Sequence, residues 1–315
     1  MPPPQINLPL PSGYMIDGYR FERQLSIGGF SIVYLAYDPQ GAPVAIKEYL
    51  PNALAVRKVG LLPQVSAANR TAYQSGMMAF YEEGIALARL NHPNIVRVLN
   101  FLRANDTVYL VMRYEQGCTL HQQIRKHHGE FKENFVRGVF VRLLSGLREV
   151  HANKLLHLDI KPSNIYLRTD GNPVLIDFGA TRQALSRNDP ELRPTYTPGY
   201  AAPEQYGNQP GQGPWTDVYA VGATMYACLA AAAPQPADAR SIKDGLVAAK
   251  QRWAGQYSPQ LLDTIDQCLL LDPLARPQSA FALQRMLAPP SAPAAESTAD
   301  SSPAGPPPAD LPPAA

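Results

Sequence analysis

The sequence is poor in cysteine and carries little net charge. Its 315 residues include three cysteines, which lie far apart at Cys118, Cys228 and Cys268. Because no two of them form a CxxC pair, the sequence indicates neither a zinc site nor a disulfide framework, and it favours a reducing cytoplasm. The formal net charge of +2 is too small to indicate binding to nucleic acid or to an anionic membrane.

Long apolar runs are also missing. A membrane-spanning helix needs about 18 or more apolar residues without charge, and the nearest candidate, AVGATMYACLAAAA, is too short and ends at Pro234. That run is typical of a buried helix. The first residues, MPPPQINLPLPSGY, have neither the basic start nor the apolar run of a signal peptide. We therefore expect a soluble, cytoplasmic chain without a membrane segment.

Composition separates a folded part from two terminal segments. The last 27 residues, Pro289 to Ala315, include nine Pro and eight Ala but neither Lys nor Arg. This composition predicts that 289–315 is disordered, either as a natural tail or as a linker within a longer protein. Residues 1–13 are expected to be a flexible N-terminal segment. With 45% apolar residues in the chain, the part between them can bury a large core.

The folded part begins with strand patterns and continues with helical ones, which predicts an α+β fold. Short runs rich in Val, Ile, Tyr and Phe predict a five-stranded antiparallel sheet. Between them, MMAFYEEGIALARL has helical spacing, with Phe80, Leu87 and Leu90 on one side. The predicted strands are YRFERQLS, SIVYLAYD, APVAIKEYL, IVRVLNFLRA and TVYLVMRYE.

Glu83 lies on the apolar side of the predicted helix. A carboxylate in that position needs a cationic partner, because burial of an unpaired charge is unfavourable. The candidate partner is Lys47, the only basic residue in the strand PVAIKEYL. Taken alone, Lys47 is equally well interpreted as a solvated lysine on an edge strand, so the choice depends on motifs further along the chain.

Two motifs in the second half of the chain decide between these interpretations of Lys47. HLDIKPSN at 157–164 combines an Asp, a Lys two residues later and an Asn five residues later, and DFG follows at 177–179. Each residue alone would most often lie on a surface, but their combination is improbable by chance. The sequence strongly resembles the eukaryotic-like (Hanks-type) Ser/Thr protein kinases, and particularly their bacterial branch, over about 19–287. Further matching segments are VAIKEYLP, HPNIVRVL, LVMRYEQGCTL, LIDFGATR, YTPGYAAPEQY, TDVYAVGATMY and DPLARP.

The resemblance implies a two-lobed protein kinase fold. Residues 14–115 would form a small lobe with the five-stranded antiparallel sheet plus one helix, and residues 116–288 a large, mainly helical lobe. The implied activity is transfer of the ATP γ-phosphoryl group to Ser or Thr hydroxyls of protein substrates in bacterial signalling, with autophosphorylation. The implied cofactors are ATP and Mg²⁺, with Mn²⁺ as an alternative ion. A cognate protein phosphatase is a further implied partner.

Phosphoryl transfer requires that the phosphates be held and their charge neutralised. By the resemblance, Lys47 would hold the α- and β-phosphates, and Glu83 would fix Lys47. Asn164 and Asp177 would be the metal ligands, and their amide and carboxylate oxygens suit Mg²⁺.

Three further residues would act on the reacting groups. By the resemblance, Asp159 would accept or orient the proton of the substrate hydroxyl. Lys161 would neutralise charge on the γ-phosphoryl group, and a lysine at this place is the family mark of Ser/Thr specificity. Thr197 would reach Asp159 and Lys161 and help to dock the substrate.

The resemblance also places the adenine pocket between the two lobes. Tyr166 would form its floor, where the family more often has leucine. Ordinary core packing remains an alternative interpretation of the apolar residues in this set. The implied residues are Ile27, Val33, Ala45 and Tyr166 around the ring, Met112 behind it, and the backbone of Arg113, Tyr114 and Glu115 along its edge.

The loop that would cover the phosphates departs from the family pattern. Counted back from Val33, GxGxxGxV falls on Ser26, Gly28 and Ser31, so that only the middle glycine is kept. The middle glycine matters most, because a Cβ there would hinder approach of the backbone to the phosphates. We predict an altered loop over a working site. The binding residues expected in this loop are Gly28, Gly29, Phe30 and Ser31.

Two other departures concern regulation. Leu158 stands where the family usually has Arg, and leucine cannot pair with phosphate, so phosphorylation of the activation loop, 177–204, should matter less. The segment 49–75 is longer than the family usually has, and it is either a partner surface or a plain insertion. Among structural residues, Glu204 would pair with Arg276, and Asp217 would hold the backbone of the catalytic loop, which is the segment HLDIKPSN at 157–164.

These departures leave a second function open. Ser26, Ser31 and Leu158 are compatible with a pseudokinase that acts as an ATP-binding scaffold or sensor module. The intact set of motif residues favours the enzyme: Lys47, Glu83, Asp159, Asn164 and Asp177.

Overall fold

A computed structural model of the chain describes residues 7–178, 196–206 and 211–288. The expected tail, 289–315, lies outside these residues, as do residues 1–6 and the part of the activation loop at 179–195. The described residues form the expected two lobes, one built on a large antiparallel sheet and the other mainly on helices.

Among the described residues, the main sheet of the small lobe contains six antiparallel strands where the sequence predicts five. The additional strand, Met15–Ile16, lies at the sheet edge and pairs with the first long strand. Two residues are too few to show the alternation that identifies a strand in a sequence. In sheet order the strands are β1 (Met15–Ile16), β2 (Tyr19–Ile27), β3 (Ser31–Tyr37), β4 (Pro43–Tyr49), β8 (Thr107–Arg113) and β7 (Val98–Ala104).

Helix α1 (Arg70–Ala88) packs on this sheet. A Cβ added at Gly84 would overlap the Phe101 side chain on β7 and crowd Leu110 on β8, so the helix lies directly on these two strands. Phe80 and Leu87 are buried as predicted. The helix therefore presents its apolar side, which includes Glu83, to the interior of the lobe.

The segment 49–75 and the N-terminal residues pack together. The segment contains a two-stranded ribbon, β5 (Ala55–Val56) and β6 (Gln64–Val65). Residues 1–13 were expected to be flexible, but Asn7 and Leu10 are buried. The reason is hydrogen bonding to the segment 49–75: the Asn7 amide group donates to Ala55 O at 3.2 Å and accepts from the Arg57 N–H.

The large lobe is mainly helical, with a small three-stranded sheet below the junction of the lobes. The apolar run at 220–233 lies mostly in a buried helix, as predicted. No helix in the described ranges combines the length and the apolar character needed to cross a bilayer. The elements are β9 (Gly117–Thr119), β10 (Ile165–Arg168) and β11 (Pro173–Leu175), with α2 (Leu120–His127), α3 (Glu133–Ala152), α4 (Pro214–Ala230), α5 (Ala237–Ile242), α6 (Ala249–Arg252), α7 (Pro259–Cys268) and α8 (Ala280–Leu287).

Tight packing of α4 against α7 gives a first testable prediction. A Cβ at Gly222 would overlap the Cβ of Cys268, so Gly222→Ala should lower the free energy of unfolding by about 1–3 kcal/mol. Gly138 in α3 is the matched control, because a Cβ there meets nothing within 4 Å and Gly138→Ala should raise stability by about 0.5–1 kcal/mol. Denaturant unfolding measures both, and equal effects would contradict the proposed contact.

Candidate active site

Lys47 is a buried residue of a central strand. Strand β4 lies between β3 and β8, where Lys47 is opposite Val33 and Leu110. The residue is 8% exposed, and its Nζ lies 2.6 Å from Asp177 Oδ1 and 5.6 Å from the ring centroid of Phe80. This position excludes the solvated edge lysine and places the ammonium group between α1 and the DFG motif.

Glu83 lies one helical turn after Phe80 on α1 and is 2% exposed. Its burial on the helix that packs against the sheet agrees with the need for a cationic partner. The pairing of Glu83 with Lys47 remains a prediction, whereas the ion pair of Lys47 with Asp177 is part of the structure.

Asp177 and Phe178 have opposite environments. Asp177 has a φ of +61°, and its side chain is 46% exposed. Phe178 is fully buried and packs against His157, with ring centroids 4.4 Å apart. The charge of Lys47 lowers the pKa of Asp177 to about 2, so this carboxylate is ionised at neutral pH.

The catalytic-loop residues form a single hydrogen-bonded cluster with Thr197. The Thr197 hydroxyl donates to Asp159 Oδ1 at 2.8 Å, and Lys161 Nζ donates to Thr197 Oγ1 at 2.8 Å. Lys161 Nζ also lies 2.7 Å from Asp159 Oδ2. Thr197 comes 36 residues after Lys161 and 38 residues after Asp159, and the fold brings all three side chains together at the Asp159 carboxylate.

The Asp159 carboxylate also orients the side chain of Asn164. Its Nδ2 donates to Asp159 Oδ2 and to Asp159 O, both at 2.9 Å, so its Oδ1 is the amide atom that can bind a cation. The Asn164 carbonyl accepts from the Ile176 N–H at 3.0 Å, which holds this residue beside Asp177. One amide oxygen and one ionised carboxylate fit Mg²⁺, which usually keeps several ligands from water and phosphate.

The phosphate-covering loop is tied to segment 49–75. Gly28 N–H donates to Ser31 O at 2.9 Å and closes the turn between β2 and β3. The Gly29 and Phe30 carbonyls accept from the N–H groups of Asn52 at 2.8 Å and Leu50 at 2.9 Å. The serine-substituted loop thus has backbone support from the segment that follows β4.

The side chains expected around adenine lie on strands of both lobes. Ala45 is opposite Met112 in the sheet, and Ile27 is half-buried at the end of β2. Below them, Tyr166 lies on β10 opposite Thr119. Burial, together with the nearby Tyr114, raises the pKa of the Tyr166 phenol, which keeps it neutral beside the segment that connects the lobes.

Asp217 holds the backbone of the catalytic loop, as expected. It is fully buried at the start of α4, where its carboxylate accepts from the N–H of His157 at 2.9 Å and of Leu158 at 2.7 Å. His151 Nε2 lies 2.8 Å from the same carboxylate. These bonds fix the peptide units that lead into Asp159.

The expected Glu204–Arg276 pair is also present. Two hydrogen bonds of 2.8 and 3.0 Å join the guanidinium group to the carboxylate, and the Thr216 hydroxyl donates to Glu204 at 2.8 Å. Sequence reasoning missed Gln205, which follows Glu204 and bonds to the catalytic loop. Gln205 stands in the matching segment YTPGYAAPEQY, but neither periodicity nor the motif assigned a contact to it.

Comparisons with known proteins agree with this geometry. Residues 19–287 match the family model described as "Protein kinase domain". Among curated relatives, Serine/threonine-protein kinase C of Synechocystis sp. is 32% identical over 281 residues, which cover 85% of this chain and 49% of that protein. Serine/threonine-protein kinase PknA of Nostoc sp. is 30% identical over 270 residues, which cover 82% of this chain and 44% of that protein.

A solved structure, "PpkA-294 apo form", is similar with a TM-score of 0.80 and 35% sequence identity, over 89% of this chain and 99% of that one. The chain spans about half the length of the curated relatives described above. The match to the family model extends from β2 to the last residue of α8 and includes both lobes and the catalytic loop between them. The chain belongs to the protein kinase domain family.

Proposed function

We propose that this chain is an ATP- and Mg²⁺-dependent protein kinase that phosphorylates Ser and Thr side chains of proteins. The observation that carries the proposal is the cluster of Asp159, Lys161, Asn164 and Thr197, assembled within hydrogen-bonding distance beside Asp177. The relatives named as serine/threonine-protein kinases support the choice of hydroxyl substrate.

The chain's own residues divide the work of phosphoryl transfer. Asp159 orients the substrate hydroxyl and accepts its proton, while Lys161 neutralises charge that develops on the transferred group. Lys47, which lies in the small lobe, binds phosphate oxygens of ATP. Asn164 and Asp177 would hold Mg²⁺, which supplies charge neutralisation between the phosphates when it is bound.

The cellular setting forms part of the same proposal. The proposed setting is bacterial signalling with Ser or Thr residues of partner proteins as targets, and the names and bacterial sources of the relatives support it. A cognate phosphatase that reverses the reaction and a location in the cytoplasm complete the proposal, and the scarcity of cysteine agrees with a reducing compartment. Mn²⁺ is an alternative to Mg²⁺, because it also prefers oxygen ligands.

Phosphate incorporation from ATP tests the proposal. We expect the chain with Mg²⁺ to gain phosphate on Ser or Thr, as read by intact mass and site mapping or by transfer to a generic protein substrate. Asp177→Asn should reduce the incorporation at least about 100-fold, because it removes the charged metal ligand. Asp263→Asn should match the parent, because Asp263 is a surface carboxylate of α7 that pairs with Lys250.

The same experiment identifies the alternative. If the parent incorporates no phosphate and transfers none, while ATP raises its melting temperature, the chain is a nucleotide-binding pseudokinase and the proposed activity is wrong.

A further inference from the structure

Gln205 connects two parts of the site that are distant in sequence. It ends a 3₁₀ turn (Pro203–Gln205) in the segment that carries Thr197 and Glu204, and it is 6% exposed. Its Oε1 accepts from the Ala202 N–H at 2.9 Å, and its Nε2 donates to Leu158 O at 2.9 Å. Because both ends of the amide are bonded, the side chain has one defined orientation.

The acceptor of this bond is an unusual peptide unit. Leu158 has a φ of +62°, a left-handed conformation that a branched side chain rarely adopts. Its N–H donates to Asp217 Oδ1 at 2.7 Å, and its carbonyl accepts from Gln205. The conformation is thus held from two sides by groups on different segments of the large lobe.

The next residue is Asp159. Its carboxylate must keep its place relative to Lys161 at 2.7 Å and Thr197 at 2.8 Å. If the Gln205 amide is lost, the buried Leu158 carbonyl loses a partner that water cannot easily replace. The Leu158 peptide unit would then lower its conformational energy by rotating out of the left-handed region. This rotation would displace the Asp159 carboxylate.

The side chain at 158 cannot provide this support itself. Leu158 is apolar and buried, so it can make neither an ion pair nor a hydrogen bond with the neighbouring segment. The connection between residues 196–206 and the catalytic loop therefore passes through the Leu158 backbone and through Thr197.

We propose that Gln205 is a positioning residue for phosphoryl transfer, which holds the Leu158 peptide and thereby sets the place of the Asp159 carboxylate. The inference rests on the proposed kinase activity. It assigns to Gln205 an effect on the chemical step and none on nucleotide binding, because Gln205 contacts neither β2, β3 nor the segment that connects the lobes in the described hydrogen bonds.

Two substitutions test this role. Gln205→Met keeps the length of the side chain but removes both hydrogen bonds. Gln205→Glu keeps an acceptor for Ala202, but it replaces the donor to Leu158 by a carboxylate oxygen and adds a buried negative charge beside the Leu158 carbonyl. We expect either variant to lower kcat about tenfold, as for displacement of a catalytic group, and to leave KM for ATP within about twofold of the parent.

Gln284 supplies the matched control. Its Nε2 donates to Val141 O at 2.8 Å, so it joins α8 to α3 by the same kind of bond. Gln284→Met should leave kcat unchanged. Thermal melting establishes which variants are folded, and Gln205→Glu carries the test if Gln205→Met does not fold.

The possible outcomes distinguish an error in the positioning role of Gln205 from an error in the proposed kinase activity. An active parent with an unchanged kcat in Gln205→Glu overturns the positioning role alone. A KM for ATP that rises with unchanged kcat also overturns it, because the effect would then lie in nucleotide binding. A parent that transfers no phosphate overturns both the proposed function and this inference.

Discussion

Replacement of Asp159 by Asn is expected to lower kcat by about 10²–10⁴-fold, the usual effect of removing a general base. Asparagine has nearly the same shape, but it cannot accept a proton from the substrate hydroxyl. It also changes the partner of the Lys161 ammonium group, which lies 2.7 Å from Asp159 Oδ2 in the parent. The loss should therefore be catalytic rather than structural.

The measurement is steady-state transfer from ATP to a generic protein substrate, with KM for ATP determined in parallel. KM for ATP should stay within about threefold, because the residues proposed to bind the phosphates and the metal are Lys47, Asn164 and Asp177, and Asp159 is not one of them. Asp170→Asn is the control, since Asp170 is an exposed carboxylate that bonds to Asn172 within the β10–β11 turn. An Asp159→Asn variant that keeps a tenth of the parent activity would exclude the assigned role.

The catalytic cluster was predictable because its signal is local. HLDIKPSN places Asp159, Lys161 and Asn164 within six residues, and the chain order of the family motifs supplies Thr197 and Asp177. Burial of Lys47 follows from its place in a strand that ends up in the centre of the sheet. For these residues, the resemblance to the kinase family supplied the roles, and the motifs give their positions in the chain.

The contacts that sequence reasoning missed are not local. Gln205 reaches a backbone carbonyl 47 residues away, and a backbone acceptor leaves no mark in a sequence. Asn7 bonds to residues that lie 45 to 50 positions later, so the composition of 1–13 could only suggest flexibility. In each case the bond depends on the tertiary fold bringing two segments together.

Another contact that sequence reasoning missed is a buried ion pair in the small lobe. Glu48 follows Lys47 on β4 and faces the opposite side of the strand, where Arg57 of segment 49–75 binds it. Both side chains have no exposed surface, and two hydrogen bonds of 2.5 and 2.7 Å join them. Tyr34 and Tyr109 donate to the same carboxylate at 2.7 and 3.0 Å.

Burial and the Glu48 charge both raise the pKa values of Tyr34 and Tyr109, so these phenols remain neutral donors. Burial opposes the charged form of Arg57, but its hydrogen bond to Glu48 and the charge of that residue raise its pKa above the ordinary value. Arg57 Nε also donates to Leu8 O at 2.8 Å. The guanidinium group thus joins β4, segment 49–75 and the N-terminal residues.

Arg57→Met should consequently lower the free energy of unfolding by about 3–5 kcal/mol, because it leaves the buried Glu48 carboxylate without its cation. Adding Glu48→Gln in the same chain should restore part of this loss, since an amide carries no charge, its oxygen accepts from one tyrosine and its NH₂ group can donate to the hydroxyl of the other. Denaturant unfolding followed by circular dichroism measures both variants. Arg20→Met is the control, because its pair with Glu22 is about half exposed and should contribute less than about 1 kcal/mol.

The same substitution should also affect the nucleotide site. Segment 49–75 donates to the phosphate-covering loop through Leu50 and Asn52, so loosening the Arg57 contacts should raise KM for ATP, measured at a temperature where Arg57→Met is folded. The catalytic cluster around Asp159 lies in the other lobe, and kcat at saturating ATP should change less than KM. If Arg57→Met unfolds within about 1 kcal/mol of the parent, the ion pair contributes little, and the support for the serine-substituted loop must come from the backbone bonds alone.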